Sequence, residues 1–424
     1  MTQPRLVSEL ELPTFDSTDP SIRGDRFHEV MRGLRAQGWV ARDPFGYVVL
    51  DRESAEFFLR TRSAIFPGMK IAEIFGVSEG PLYEEMRWNI LHINGGDHTR
   101  LRSLVNPALS PRAVERYRPA MKRFLQELFE RVAGGGARGG ETGGSVSCDF
   151  VEAFAKPYPS MVIADVMGAP LEDAPRLHHW SNWIQRQFDA ASLMTERELI
   201  EEAVSEFYVY EDELIAARRP DPGDDLISEL IKAEDEGDHQ AGEAGRARLT
   251  DDELRNLILN ILVGGVDTSQ SQLAHAVRLL ALHPDQWELL RTDPRELALP
   301  AVDESLRYEP ITPFTARITT AEIEYRGVTF PANSIVLVSA WHANRDGIEP
   351  DAFDIAADRP RARVLTFGAG IHYCVGANLA RAEMEEAVAF LGERVRSISL
   401  AGEPEFGSAS GIYGLDSLPV RLEL

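Results

Sequence analysis

A single cysteine near the end of the chain lies in the run Phe367-Gly-Ala-Gly-Ile-His-Tyr-Cys374-Val-Gly376, just ahead of an amphipathic pattern from Asn378 to about Val395. At a helix start, free backbone N–H groups and the positive dipole end favour a thiolate, the form that binds metal. Phe367 offers a flat apolar face, and Gly368, Gly370 and Gly376 permit backbone approaches that a side chain would block. A second constellation, Gly264-Gly265-Val266-Asp267-Thr268-Ser269, interrupts a helical pattern that opens on the capping box Thr250-Asp-Asp-Glu253 and runs to about Leu282. One continuous helix of that length spans roughly 48 Å. Two glycines inside it cost about 1–2 kcal/mol, which points either to a close helix crossing or to a flat group lying against the backbone. A carboxylate and a hydroxyl just beyond them can face the same space, as a proton relay requires. His98 and Arg102, four residues apart, share one helix face, and Glu304 and Arg307 form an i,i+3 pair.

The run around Cys374 continues through Leu379, Ala380, Arg381 and Glu383 as F-G-x-G-x-H-x-C-x-G-x-x-L-A-R-x-E, and it resembles the haem-binding signature of the cytochrome P450 family, in particular its soluble bacterial members. The glycine run resembles that family's [AG]-G-x-[DE]-T-[ST] oxygen-binding kink. The resemblance implies haem b with Cys374 as the axial metal ligand and Phe367, Gly368, His372 and Gly376 around it. His98, Arg102 and Arg317 are then partners of the haem propionates, with His372 a further one. Thr268 is implied to hydrogen-bond bound dioxygen and Asp267 to relay protons, while Glu304, Arg307 and Arg359 form a triad that locks the cysteine loop. Three departures stand out: Asn94-Gly95-Gly96 where Asp-Pro-Pro is common, a shorter stretch from Asp346 to Phe353, and Val364 where a histidine is frequent.

The implied activity is a monooxygenase that takes electrons from a ferredoxin or flavodoxin with its NAD(P)H reductase and hydroxylates or epoxidises a hydrophobic small molecule with O2. The alternatives are a haem-thiolate peroxygenase, an oxidative coupling or nitrating enzyme, and a non-catalytic haem sensor. The pocket above the iron is expected to use Val263, Gly264, Ile311, Thr312, Phe314, Ile412 and Tyr413, with further contributions from Phe66 to Leu91 and Trp180 to Leu193. An acidic electron carrier would need a local basic patch, for which Arg100, Arg112, Arg361 and Arg363 are candidates.

The elements that must position these groups belong to a mainly α fold with small β-sheets, a single P450 domain over residues 1–424. Phe27–Gln37 and Glu53–Arg60 read as helices and Tyr47–Leu50 as a strand. Ile323, Tyr325 and Ile335–Val338 read as one small sheet. Residues 1–25 read as an extended lead-in, and Phe66 to Asn89, apolar yet glycine-rich, reads as a half-buried lid. Polar, glycine-containing stretches near 134–146 and 233–248 read as flexible connectors. The net charge of −24 argues against nucleic acid and anionic membrane surfaces as partners. Without a long apolar run or an N-terminal signal pattern, the expectation is a cytoplasmic monomer with no membrane anchor. Cys148 has no partner and reads as a packing residue. Among 44 basic residues only four are lysines, a skew typical of GC-rich bacterial coding.

Overall fold

Two helices in tandem, Asp251–Gly265 and Asp267–Leu282, run through the middle of the protein, and nearly every side chain of the second is buried. The computed structural model describes residues 4–136, 144–236, 249–347, 349–357 and 364–424. The capping box forms as read: Thr250 Oγ1 accepts from the Glu253 N–H at 3.2 Å and a Glu253 carboxylate oxygen accepts from the Thr250 N–H at 2.9 Å. The expected single helix is instead broken at Val266, whose φ and ψ are −92° and −73°. The break is a bend and not an end, because the Val266 N–H still reaches Leu262 O at 3.2 Å and the Gln270 N–H reaches Val266 O at 3.0 Å. Its local cause is Thr268, whose Oγ1 donates to Gly264 O at 2.6 Å. Such back-bonding bends helices, and the two glycines before it resist little.

Around this pair pack the helices Pro157–Met167, Ala174–Gln185, Pro294–Tyr308 and Ala377–Arg394, which bury one large apolar core containing Phe124, Phe154, Leu262 and Leu391. A five-stranded sheet lies at the side in the order Val40–Asp43, Gly46–Val49, Ile335–Ser339, Phe314–Thr319, Ala64–Ile65. Only Gly46–Val49 with Ile335–Ser339 is parallel. Ile323–Tyr325 does not join Ile335–Ser339 as expected. The Arg326-Gly327 turn, with both φ positive, folds Ile323–Tyr325 back on Val328–Phe330 as a tight hairpin. The strand Arg5–Leu6 adds to that hairpin in parallel, so the lead-in is partly in a sheet. Pro331 and the left-handed Asn333 then redirect the chain into the larger sheet.

The lid segment forms two short helices, Met69–Ile74 and Pro81–Trp88. They carry a small core of their own, Ala72, Val77, Leu82 and Met86 against Leu193 and Ile200. The expected connectors begin later than read, since helices run to Gly136 and Glu236 and a strand starts at Ser145; the remainder of each lies outside the described residues. Cys148 sits in that strand as a free thiol pushed up to about 11, first by burial and then by Asp149. Among the described residues no helix is long and apolar enough to cross a membrane.

Candidate active site

A cavity of about 470 Å³ is bounded by the bend of the central helices, the lid, the large sheet and the cysteine loop. Cys374 reaches its wall from one side and Thr268 from another. The loop is held from behind: the Cys374 N–H donates to Phe367 O at 2.9 Å. Gly370 has φ +73°, and a Cβ there would lie 2.6 Å from Leu59 O, so only glycine lets the loop seat against the C-terminal end of the Arg52–Arg60 helix. Arg381, one turn into the Ala377–Arg394 helix, stands over the Phe367 ring at 4.7 Å and pairs with Asp303 at 2.9 Å. Burial raises the Cys374 thiol above its ordinary range, while the N–H groups of Gly376 and Ala377 and the charges of Arg102 and Arg381 pull it down. The helix start therefore offsets desolvation without overcoming it. A coordinated metal cation, which deprotonates a thiol outright, supplies what the loop alone does not.

Basic groups collect at one edge of the cavity. Arg102 comes from the Gly95–Val105 helix, Arg317 from the strand Phe314–Thr319, and His372 from the cysteine loop. His98, on the same helix as Arg102, does not line the cavity but is buried with its ring 4.3 Å from that of His372. Burial, followed by the nearby His98, Arg317 and Arg102, pushes His372 down to about 3, and burial alone pushes Arg317 down to about 10. Arg317 donates only to the neighbouring Ala316 O, at 2.8 Å. Nδ1 of His372 is buried with no partner, while its Nε2 meets Asn94 Oδ1 at 3.3 Å. No carboxylate pairs with Arg102 or Arg317 among the described residues. Buried cations without anions are costly, so this edge fits a ligand that brings its own carboxylates. Together with a thiol on the wall, the donor set fits a haem.

Asp267 does not face the space that Thr268 faces. Its carboxylate turns to the Ala174–Gln185 helix, where it accepts from Ser181 Oγ at 2.6 Å and Asn182 Nδ2 at 3.1 Å. Consecutive helical residues point in different directions, so only one of the two can meet the cavity. Burial raises the Asp267 carboxyl, opposed by the Ser181 hydrogen bond and by the charge of His178. The glycines also divide their work. A Cβ on Gly265 would sit 2.2 Å from Ile163 Cδ1, a close helix crossing, whereas one on Gly264 would meet nothing within 4 Å.

Val263, Gly264, Ile311, Thr312, Phe314 and Ile412 line the cavity as expected from their positions. Tyr413 does not. It is fully buried behind the wall, its hydroxyl accepts from the Gly24 N–H at 2.7 Å, and its ring lies 4.8 Å from Phe27. Adjacent residues of an extended chain point to opposite sides, so Ile412 takes the cavity and Tyr413 the core. Trp180 is likewise core, against Phe207 and Tyr210, while Phe188 and Leu193 after it do reach the cavity. Glu304 and Arg307 form a buried bidentate pair at 2.7 and 2.8 Å. From it Arg307 holds Pro350 O and Ala352 O, and Glu304 accepts from the Asp354 N–H. Arg359, Arg361 and Arg363 lie outside the described residues. Arg100 is not available for a surface patch, because it is half-buried in an ion pair with Glu253. Ser181, Asn182 and Asn94 carried no recognisable spacing relative to their partners in the sequence, since the Ala174–Gln185 helix brings the first two to Asp267 and the turn before the Gly95–Val105 helix brings Asn94 to His372.

The cytochrome P450 family model matches residues 48–391. This chain belongs to the cytochrome P450 family. Luteothin monooxygenase of Streptomyces thioluteus is 33% identical over 418 residues, 97% of this chain and 96% of that protein. The 6-deoxyerythronolide B hydroxylase of Saccharopolyspora erythraea is 36% identical over 336 residues, 77% and 76% of the two chains. The crystal structure of CalO2 superposes with a TM-score of 0.84 at 28% identity, covering 97% of this chain and 99% of that one. The P450 is a bacterial haem-thiolate monooxygenase, and hydroxylases and epoxidases among its relatives do not favour the peroxygenase, coupling or sensor alternatives.

Proposed function

We propose that this P450 holds haem b through the Cys374 thiolate and hydroxylates or epoxidises an apolar small molecule, with electrons from a ferredoxin or flavodoxin and its NAD(P)H reductase. The observation that carries the reading is the convergence, on one cavity, of the Cys374 thiol, the cluster of Arg102, Arg317 and His372 (backed by His98) with no carboxylate partner among the described residues, and the Thr268 hydroxyl. In this reading the cluster binds the haem propionates, and Phe367, Gly368 and Gly376 shape the loop that holds the thiolate. When bound, a thiolate-ligated haem favours O–O cleavage and supplies the oxidant for an unactivated C–H bond. The chain's own residues do the rest. Apolar walls that include Val263, Ile311 and Phe314 exclude water from the reacting carbon. Asp267, a buried carboxyl next in sequence to Thr268, relays protons inward through water. Glu304 and Arg307, together with Arg359, brace the segment that leads into the cysteine loop. The exposed Arg112, on a short helix packed against Ala377–Arg394, is the basic residue offered to the electron carrier.

Several relatives carry names from natural-product chemistry, such as the mycinamicin IV hydroxylase/epoxidase of Micromonospora griseorubida, which supports a tailoring role for this chain. The test is optical. The reduced protein under carbon monoxide is expected to show the red-shifted band of a thiolate-ligated haem, and Cys374→Ser to lose it. A haem band unchanged by Cys374→Ser would reject the ligation.

A further inference from the structure

One part of the cavity wall carries polar atoms that the fold leaves unmatched. Gln187, in the turn after the Ala174–Gln185 helix, is 1% exposed and lines the cavity; one amide N–H is directed at the buried Glu85 carboxyl, while the second N–H and the Oε1 have no partner among the described residues. Asn260 reaches the same cavity from the central helix. Its Oδ1 accepts from the Ile90 N–H at 2.8 Å, which sets the amide's orientation, and its Nδ2 is buried without an acceptor. Asn89, on the intervening lid segment, is by contrast saturated: its Oδ1 accepts from the Leu91 N–H at 2.9 Å and its Nδ2 donates to Glu85 Oε1 at 2.6 Å. Buried amide groups are nearly always paired in folded proteins, so two unmatched ones on one cavity point to a ligand that completes them.

Charge narrows the ligand further. Fully buried Glu85 lies beside Gln187 and Asn89, raised to about 7 chiefly by its burial. The Asp189 carboxylate caps the Ala190–Thr195 helix two residues on. Among the described residues no cation lines this part of the wall; Arg102, Arg317 and His372 are at the other edge, committed to the haem in the reading above. A carboxylate would meet only acids here. We propose that Gln187 and Asn260 together read a neutral carbonyl oxygen, of a ketone, ester or amide, on an otherwise apolar substrate. This rests on the cavity being the substrate site. Asn260 is eight residues before Thr268, roughly 12 Å along the helices, so the carbonyl lies at one end of the substrate and the oxidised carbon well away from it.

The test uses the haem-loaded full chain and three probes with one scaffold: 4-phenylcyclohexanone, phenylcyclohexane and 4-phenylcyclohexanecarboxylate. Binding is measured by calorimetry and by the optical spin-state shift. The wild type is expected to bind the ketone about tenfold more tightly than the hydrocarbon, the worth of one net hydrogen bond, and the carboxylate most weakly. Gln187→Met removes the amide, and Asn260→Asp keeps the acceptor for Ile90 while removing the donor. Each is expected to erase the ketone preference and leave hydrocarbon binding in place. Equal wild-type affinity for ketone and hydrocarbon, or a preference that survives both substitutions, overturns the assignment. A hydrocarbon-induced spin shift in every protein would confine that failure to the two amides, whereas a wild type without the thiolate-type carbon monoxide band overturns the functional reading beneath it.

Discussion

Adding one methyl group at either of two adjacent glycines should have opposite effects. Ala is better than Gly in a helix by about 0.8–1.0 kcal/mol, and both positions are at the end of Asp251–Gly265. At Gly264 the new Cβ meets nothing within 4 Å, so the propensity gain survives and Gly264→Ala should stabilise by up to about 1 kcal/mol. At Gly265 the Cβ would lie 2.2 Å from Ile163 Cδ1 and 2.7 Å from its Cγ1. Overpacking of this kind costs about 1–3 kcal/mol, so Gly265→Ala should fall below Gly264→Ala by that amount. For 424 residues the unfolding entropy is about 0.9 kcal/mol/K, which makes the gap between the variants roughly 1–3 °C in Tm, resolvable by scanning calorimetry. Ile163→Ala removes both offending carbons. In its background the gap should close, a coupling readable from the double-mutant cycle. Equal melting of the two Ala variants, or a gap that persists without the Ile163 side chain, would refute the claim that helix crossing is what requires Gly265.

Glu304→Gln leaves the Arg307 guanidinium buried without its anion. Breaking a buried pair costs about 3–5 kcal/mol, and the urea midpoint should fall accordingly, with faster loss of haem; an unchanged midpoint would mean the pair is not what holds the Pro350–Asp354 segment. Glu309 gives a pH prediction. Burial alone would raise its carboxyl, but the charge and hydrogen bond of His28, with His275 and Arg278, bring it down to about 2 from an ordinary 4.5. A depressed carboxyl stabilises the fold above its ordinary value and loses that contribution as pH falls from about 4.5 through about 2. Glu309→Gln should therefore be less stable than the wild type at neutral pH, and the difference should shrink below pH ~4. A difference that does not change with pH would show that the ionisation is not the source.

The chemistry-bearing runs were legible because their constraints are local. A glycine loop ahead of a helix, a capping box and two glycines within a helical pattern are each contained in a few consecutive residues. The side of the chain that each residue faces was less legible. Asp267 and Thr268, and again Ile412 and Tyr413, were read as pairs sharing one space, and in both the backbone separates neighbours to different sides. Their destinations depend on Ser181 and Gly24, 86 and 389 residues away. The two sheets were merged in the sequence reading because alternating apolar residues mark strands without marking partners; the Arg326-Gly327 turn decides that. Asn94 was read only as a departure from Asp-Pro-Pro, yet it is a contact for His372. The two glycines, read as either a close helix crossing or room for a flat group, divide between the two: Ile163 crosses against Gly265, and open space lies beside Gly264.

The bend at Val266 also determines how the Thr268 hydroxyl can act. Its proton is already committed, donated to Gly264 O at 2.6 Å. A hydroxyl has one donor and two acceptor sites, so toward the cavity Thr268 presents lone pairs. It therefore accepts a hydrogen bond from a protonated neighbour or a water, and it can donate only if the Gly264 carbonyl is released and the helix straightens. The acid that could supply such a proton is one residue away but on the far side of the helix, held by Ser181 and Asn182. In the proposed relay, a proton from Asp267 would therefore have to pass around the bend through water, and Thr268, by accepting, would orient it on arrival.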